Sequence, residues 1–146
     1  MEDIKKTIGD FLNAHNEIHL ATVGSDGKPW VSTLAYAFDG GKKIYFFTGS
    51  NTIKIKNLKG NKNVAFASAA DGKDWMDIKS LQMNGIATVV TDPKEIEMAA
   101  GLIFKKFPQM ADLPKSPTTI SVRIELTEGY LLDYTKGFMY RDKVTY

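Results

Sequence analysis

Residues 3–15 place Ile4, Ile8, Phe11, Leu12 and His15 on one helical stripe, with Lys5, Lys6 and Asp10 off it. The spacing predicts an amphipathic helix with Asp3 as its N-cap. The period then shortens to that of strands. Residues 18–23 read as a strand, and Gly24-Ser25-Asp26-Gly27-Lys28-Pro29 carries the Asp-Gly pair of a hairpin turn. Residues 30–38 are the returning strand, Asp39-Gly40-Gly41-Lys42 is a second turn, and residues 43–48 are a third strand.

A short helix follows at 52–59, apolar at Ile53, Ile55 and Leu58 and stopped by Gly60. Residues 63–68 and 81–90 read as strands on either side of a polar loop, 70–79, that contains Trp75. Asp92 and Pro93 are the cap and first residue of a helix over 94–107. Pro108, Pro114 and Pro117 make 108–117 a loop. Residues 119–126 and 129–134 are two further strands, and an aromatic, charged tail begins at Thr135. The order predicts a mainly β (α+β) fold in a single domain, 1–146: a six- to seven-stranded antiparallel barrel with short peripheral helices. A closed barrel of this size fills with side chains, so a ligand sits outside it, often where two subunits meet.

Composition narrows the partners. The chain has 146 residues and a formal charge of +2, which permits an anionic small ligand. Arg123 and Arg141 are the only arginines, and no aromatics interleave Lys54, Lys56, Lys59 and Lys62, which argues against nucleic acid. Cysteine is absent, which removes disulfides, thiolate catalysis and thiolate metal sites. No apolar run approaches the roughly 20 residues needed to span a bilayer, and the first residues do not resemble a signal peptide. The expectation is a cytoplasmic protein without a membrane partner.

Thr48-Gly49-Ser50-Asn51-Thr52-Ile53-Lys54 joins a strand to a helix start. There the hydroxyls of Thr48, Ser50 and Thr52, free backbone amides and the Lys54 ammonium can hold a phosphate. The plainer account is a Thr or Ser helix cap with surface lysines. No Walker-type Gly-Lys motif is present, so triphosphate hydrolysis is not indicated. Trp30, Val31, Ser32, Thr33 and Leu34 form a strand that can meet the polar edge of a ring, or simply present a polar row to water. His15 and His19 are the only histidines and fall on different elements, a poor metal pair. Asp71, Asp74 and Asp77 lack the spacing of a calcium loop. No Ser-His-acid constellation can be placed, so any chemistry falls to a cofactor.

Taken together, the segments 18–29, 31–36, 45–48, 52–58, 61–66 and 81–85 resemble the pyridoxamine 5'-phosphate oxidase-like family, the FMN-binding split β-barrels. The resemblance implies a homodimer with FMN between the subunits. It implies phosphate contacts at Thr48 and Lys54, with Phe47 just before that threonine. It also implies a ring lined by Trp30, Val31, Ser32, Thr33 and Leu34, and a polar side chain from Gln82. Ile53 stands where vitamin-processing members carry Arg, and the tail from Tyr134 to Asp142 lacks their Arg- and Pro-containing ending. The chain is thereby more similar to the short general-stress-protein branch. The implied function is an FMN-dependent oxidoreductase acting on a small molecule or redox partner. The alternatives are a non-enzymatic flavin carrier or sensor, or a split barrel using deazaflavin or haem.

Overall fold

The computed structural model describes residues 2–70, 74–114 and 116–146. Helix α1 (Glu2–Ala14) leads into β1 (Glu17–Val23), which pairs antiparallel with β2 (Pro29–Ala35). The chain bends at Tyr36 and continues as β3 (Ala37–Phe38), which pairs with β4 (Lys43–Gly49). Next come α2 (Ile53–Gly60), β5 (Asn63–Ala70), β6 (Lys79–Val89), α3 (Pro93–Lys106), β7 (Thr119–Asp133) and β8 (Arg141–Thr145). Single 3-10 turns occupy Trp75–Asp77, Pro108–Asp112 and Tyr134–Lys136. One curled antiparallel sheet of eight strands results, in the order β2-β1-β5-β6-β7-β4-β3 with β8 on β7.

The expected mainly antiparallel β fold is therefore present as a curled half-barrel, with an extra strand and three changes of detail. Residues 30–38 are not one strand: β2 ends at Ala35 and β3 starts at Ala37 because Tyr36 turns its ring wholly into the core. Residues 119–126 and 129–134 are not two strands but the single β7. The break at residues 127–128 is a bulge in one continuous strand, since Gly85 pairs with Leu126 while Asn84 pairs with Glu128. The tail folds back as β8, with only Val144 buried, too weak an alternation to read in advance. Asp3 is not a cap, because α1 already includes Glu2.

Strands β2 and β3 stand at opposite ends of the sheet order yet are joined through Tyr36 alone. The covalent chain thus closes the curl at one corner. Tyr36 Oη donates to the Leu12 carbonyl at 2.8 Å. Lys106 Nζ donates to the carbonyls of Leu12 (3.2 Å) and His15 (2.5 Å) and lies 4.0 Å from the Tyr36 ring centroid. These carbonyls belong to the end of α1, where helical partners run out. Burial pulls the Lys106 pKa down to about 8, against the pull of those acceptors.

The main core packs Ile8, Phe11 and Leu12 of α1 against Ile18, Leu20, Phe46 and Ile124 of the sheet. A second cluster joins Ala99 and Ile103 of α3 and its C-cap Phe107 to Ala37, Tyr45 and Val90. Asp92 caps α3 as expected, accepting from the Lys94 amide. One turn on, Arg123 donates to both oxygens of Glu95 at 2.7 Å, and Tyr45 Oη donates to Glu95 Oε2 at 2.8 Å. The Arg123 guanidinium holds the Glu95 carboxyl below the usual carboxylate range. This three-quarters-buried pair, in which Arg123 Nη1 serves both carboxylate oxygens, fixes α3 to β4 and β7 together with Tyr45.

Two measurements test this account. Gly129 sits where two backbones meet: a Cβ there would overlap the Gln82 carbonyl oxygen and lie 2.8 Å from Met83 Cα. Gly129→Ala is expected to destabilise by about 3 kcal/mol in urea unfolding, because backbone, unlike a side chain, cannot swing aside. Arg123→Met is expected to cost about 2 kcal/mol at pH 7 by orphaning Glu95. Because the folded Glu95 pKa is lowered, its contribution is complete above the ordinary value of 4.5 and is lost as pH falls below it. The gap between wild type and variant should therefore narrow by about pH 3; a gap that stays constant with pH would remove the pair from the account.

Candidate functional site

Near the Tyr36 corner, β3 and β4 pair as Ala37 with Tyr45 and Phe38 with Ile44. The same register carried back along the chain would set Ala35 opposite Phe47 and Leu34 opposite Thr48. Among the described residues those rungs do not form, and β2 pairs only with β1. The barrel is split there, and a cavity of about 280 Å³ occupies the gap. Thr33, Leu34 and Ala35 form one wall, Phe47 and Thr48 the other, and Lys54 closes one end. Ile103 of α3 and Met110 beyond it complete the lining. Neighbouring β2 residues, whose side chains point to opposite faces, both reach the cavity. It therefore meets the strand edge-on, where backbone N–H and C=O groups have no ladder partner.

The loop from Gly49 to Lys54 is shaped differently from an ordinary helix cap. Thr52 stands at the N-cap with extended backbone, yet its hydroxyl donates to the Gly49 carbonyl at 3.0 Å and accepts from no helix amide. The first turn of α2 therefore keeps its amides without a side-chain acceptor. The Ser50 amide donates to the Thr118 carbonyl at 2.8 Å, which ties the loop to the start of β7. Asn57 anchors the other side of α2, donating to the buried Thr22 hydroxyl at 3.0 Å. Lys54 is half-buried, and none of the salt bridges among the described residues includes it. Burial lowers its pKa. A half-buried ammonium beside an uncapped helix start and the Thr48 hydroxyl suits an anion.

Not every expected residue comes to this cavity. Thr33, Leu34, Phe47, Thr48 and Lys54 line it. Ser50 is exposed beside it, and Thr52 shapes the loop from behind. Trp30 (46% exposed) and Val31 (64%) lie at the far end of β2, away from the lining. Ser32 pairs with Leu20 in register, and its Oγ is enclosed without a hydrogen-bond partner. Gln82 is separate: Thr33 pairs with His19, His19 with Ala67 and Ala67 with Gln82, so two strands intervene. It lines another cavity, of about 330 Å³, with Tyr130 and Lys143.

Sequence reasoning missed Ile103, which helical spacing marks only as core, and Met110, which reads as gap filler in the Pro-rich 108–117 loop. It also missed the bond between His19 Nδ1 and Thr33 Oγ1, 2.9 Å, which ties an exposed imidazole to a cavity-lining residue. His15 is occupied, stacked on Phe11 and bonded through Nδ1 to the Phe11 carbonyl. Among the tail aromatics, Phe138 sits edge-on to Trp75 at 5.4 Å and to Tyr134 at 5.8 Å. Asp71 lies outside the described residues, Asp74 caps a 3-10 turn, and no metal-holding cluster occurs among the described residues. No helix among them is long and apolar enough to cross a membrane.

Known proteins place this geometry. The chain aligns with Rv2991, a conserved hypothetical protein of Mycobacterium tuberculosis, at 23% identity and a TM-score of 0.78, covering 97% of this chain and 91% of that one. A haem-binding protein of Mycobacterium smegmatis aligns at 16% identity and 0.78, covering 94% of this chain and 56% of the longer relative. The haem storage protein HutZ of Vibrio cholerae aligns at 20% identity and 0.74, covering 88% and 92%. At these identities the likeness is one of fold. No curated protein sequence matches the chain. The family model described as pyridoxamine 5'-phosphate oxidase matches residues 4–133, nearly the whole chain, and the protein belongs to that family.

Proposed function

We propose that the chain binds FMN, with the phosphate at Lys54, Thr48 and the start of α2 and the ring in the split between β2 and β4, and that it serves a small-molecule oxidoreductase reaction. The observation that carries this reading is Lys54: a half-buried cation with no carboxylate partner among the described residues, at the end of a slot edged by unpaired backbone. A flat ring with hydrogen-bonding edges matches those backbone groups, and Phe47 supplies an apolar surface. When bound, the flavin supplies the electron transfer. The chain's own residues hold the phosphate, orient the ring and exclude water; none is assigned as an acid or base. A deazaflavin with a longer anionic tail fits less well, since Lys54 is the sole cation in the described lining. The same site would serve a non-enzymatic flavin carrier, which differs in lacking turnover.

A second copy of the chain belongs to this proposal. The outer face of β1, β5 and β6 presents Ala21, Ala65 and Ala67, with Val31 64% exposed at its margin, and a shallow cavity of about 520 Å³. Small residues on a broad sheet face allow close approach of a like surface. Gln82 stands on that face, where it would serve the second copy's cavity rather than its own.

Haem is the second reading, favoured by His19. Thr33 holds its Nδ1, which leaves Nε2 as the free ring nitrogen, the arrangement usual for a ligating histidine. Visible absorbance of the purified protein separates flavin bands from a Soret band. FMN titration by flavin fluorescence then tests the site: Lys54→Ala is expected to weaken binding at least tenfold, about 1.4 kcal/mol. Equal affinity in the variant would remove the phosphate assignment.

A further inference from the structure

A titratable side chain reaches the lining of the split through a hydrogen bond: His19 Nδ1 lies 2.9 Å from Oγ1 of Thr33, a lining residue. Register builds the pair. His19 of β1 stands opposite Thr33 of β2 and Ala67 of β5, and side chains of one rung share a face of the sheet. Alternation sets Glu17 and Ala21 beside His19 on that face, Val31 and Ala35 beside Thr33, and Ala65 and Ala69 beside Ala67. Beyond Ala67 stands Gln82. Glu17 is thus the one titratable group among these neighbours, and Lys54 is the cation in the described lining of the split. The imidazole has small or uncharged residues on both neighbouring strands, and Thr33 is its hydrogen-bond partner.

We infer that His19 is a positioning residue: it sets whether Thr33 meets a ligand in the split as a hydrogen-bond acceptor or as a donor, and its charge reverses that sense. A threonine hydroxyl has one proton to give and lone pairs to receive. A neutral imidazole with its proton on Nε2 takes the Thr33 proton at Nδ1, which leaves only lone pairs for the split. A proton added to the ring resides on Nδ1 and reverses the bond. Nδ1–H then donates to Oγ1, the hydroxyl proton turns away, and Thr33 becomes a donor. The first state suits a ring edge that carries an N–H; the second suits an edge that accepts or holds negative charge. The inference rests on the flavin reading, because reduction adds negative charge to the edge of the FMN ring. The imidazolium state therefore favours the reduced ring and the neutral state the oxidised one.

The experiment uses the full chain with FMN and without it. The midpoint potential of bound FMN, set against that of free FMN, gives the ratio of affinities for the reduced and oxidised ring at each pH. The pH is lowered across the interval in which imidazoles change charge, about 8 to 5. That ratio is expected to rise at least about threefold more in wild type than in His19→Gln, which keeps a polar contact but takes up no charge. Thr33→Val, which keeps the imidazole and loses the hydroxyl, is expected to follow His19→Gln. Without FMN, the ring-nitrogen resonances of His19, assigned by their loss in His19→Gln, are expected to show the neutral ring protonated on Nε2. Thr33→Val is expected to abolish that preference. The inference is overturned if His19→Gln keeps the wild-type response, or if neutral His19 carries its proton on Nδ1. It is also overturned if Thr33→Val keeps the wild-type response, since the charge would then act through space and not through the hydroxyl. Any of these results in a chain that binds FMN removes this inference and leaves the flavin reading standing; a chain that binds no FMN loses both.

Discussion

The bend at Tyr36 governs the rest of the molecule. It makes one run of chain serve as both end strands of the sheet, so β1 and β4 must converge at that corner. Convergence at one end requires divergence further along, because β2 follows β1 while β4 follows β7. The missing rungs between β2 and β4 are thus a product of topology and need no special residues. Tyr36 itself is over-determined: its ring is fully buried, its hydroxyl takes the Leu12 carbonyl, and Lys106 covers its face. Holding the corner costs one buried lysine, and that lysine also supplies donors to the end of α1.

Much of this was legible in the sequence. The helical stripe of Ile4, Ile8, Phe11 and Leu12, both early hairpins and the Asp92-Pro93 start of α3 follow from local rules, and the structure contains each of them. Local rules failed where distant contacts decide. Gly129 reads as the start of a separate strand until β6 is seen lying against it, and the corner at Tyr36 reads as continuous strand until its partners change. Strand β8 is polar at most positions, and its pairing with β7 sets its shape more than its own pattern does.

The candidate site divides in the same way. Phe47, Thr48 and Lys54 lie close in sequence, and their meeting follows from one strand-to-helix loop. Thr33 and Leu34 join them only through the split, a property of the whole sheet. Ser50 and Thr52 were expected as direct contacts from composition. The structure shows bonds from both that build the loop, the Ser50 amide to Thr118 and the Thr52 hydroxyl to Gly49. Hydroxyl count alone cannot separate a residue that touches a ligand from one that turns the chain toward it. Ile103 and Met110 come from an element whose position depends on the Glu95–Arg123 pair, and nothing in their own neighbourhood marks them.

The cavity is consequently a junction of pieces anchored by unrelated forces. The β1 ladder holds β2, the β7 ladder holds β4, a hydrogen bond from Asn57 to Thr22 holds α2, and an ion pair holds α3. The two polar anchors, Asn57–Thr22 and Glu95–Arg123, do not line the gap, whereas Leu34 and Ile103 line it and also belong to the core. Ile53, by contrast, is 46% exposed, outside both main core clusters, and takes no part in fixing α2, which buries Ile55, Asn57 and Leu58 instead. An uncharged side chain at such a place leaves Lys54 as the one cation in the described lining without disturbing α2. A frame that closes through one corner and gapes at the other can therefore keep its fold while the charge in the split changes, because its polar anchors are not among the residues that line the gap.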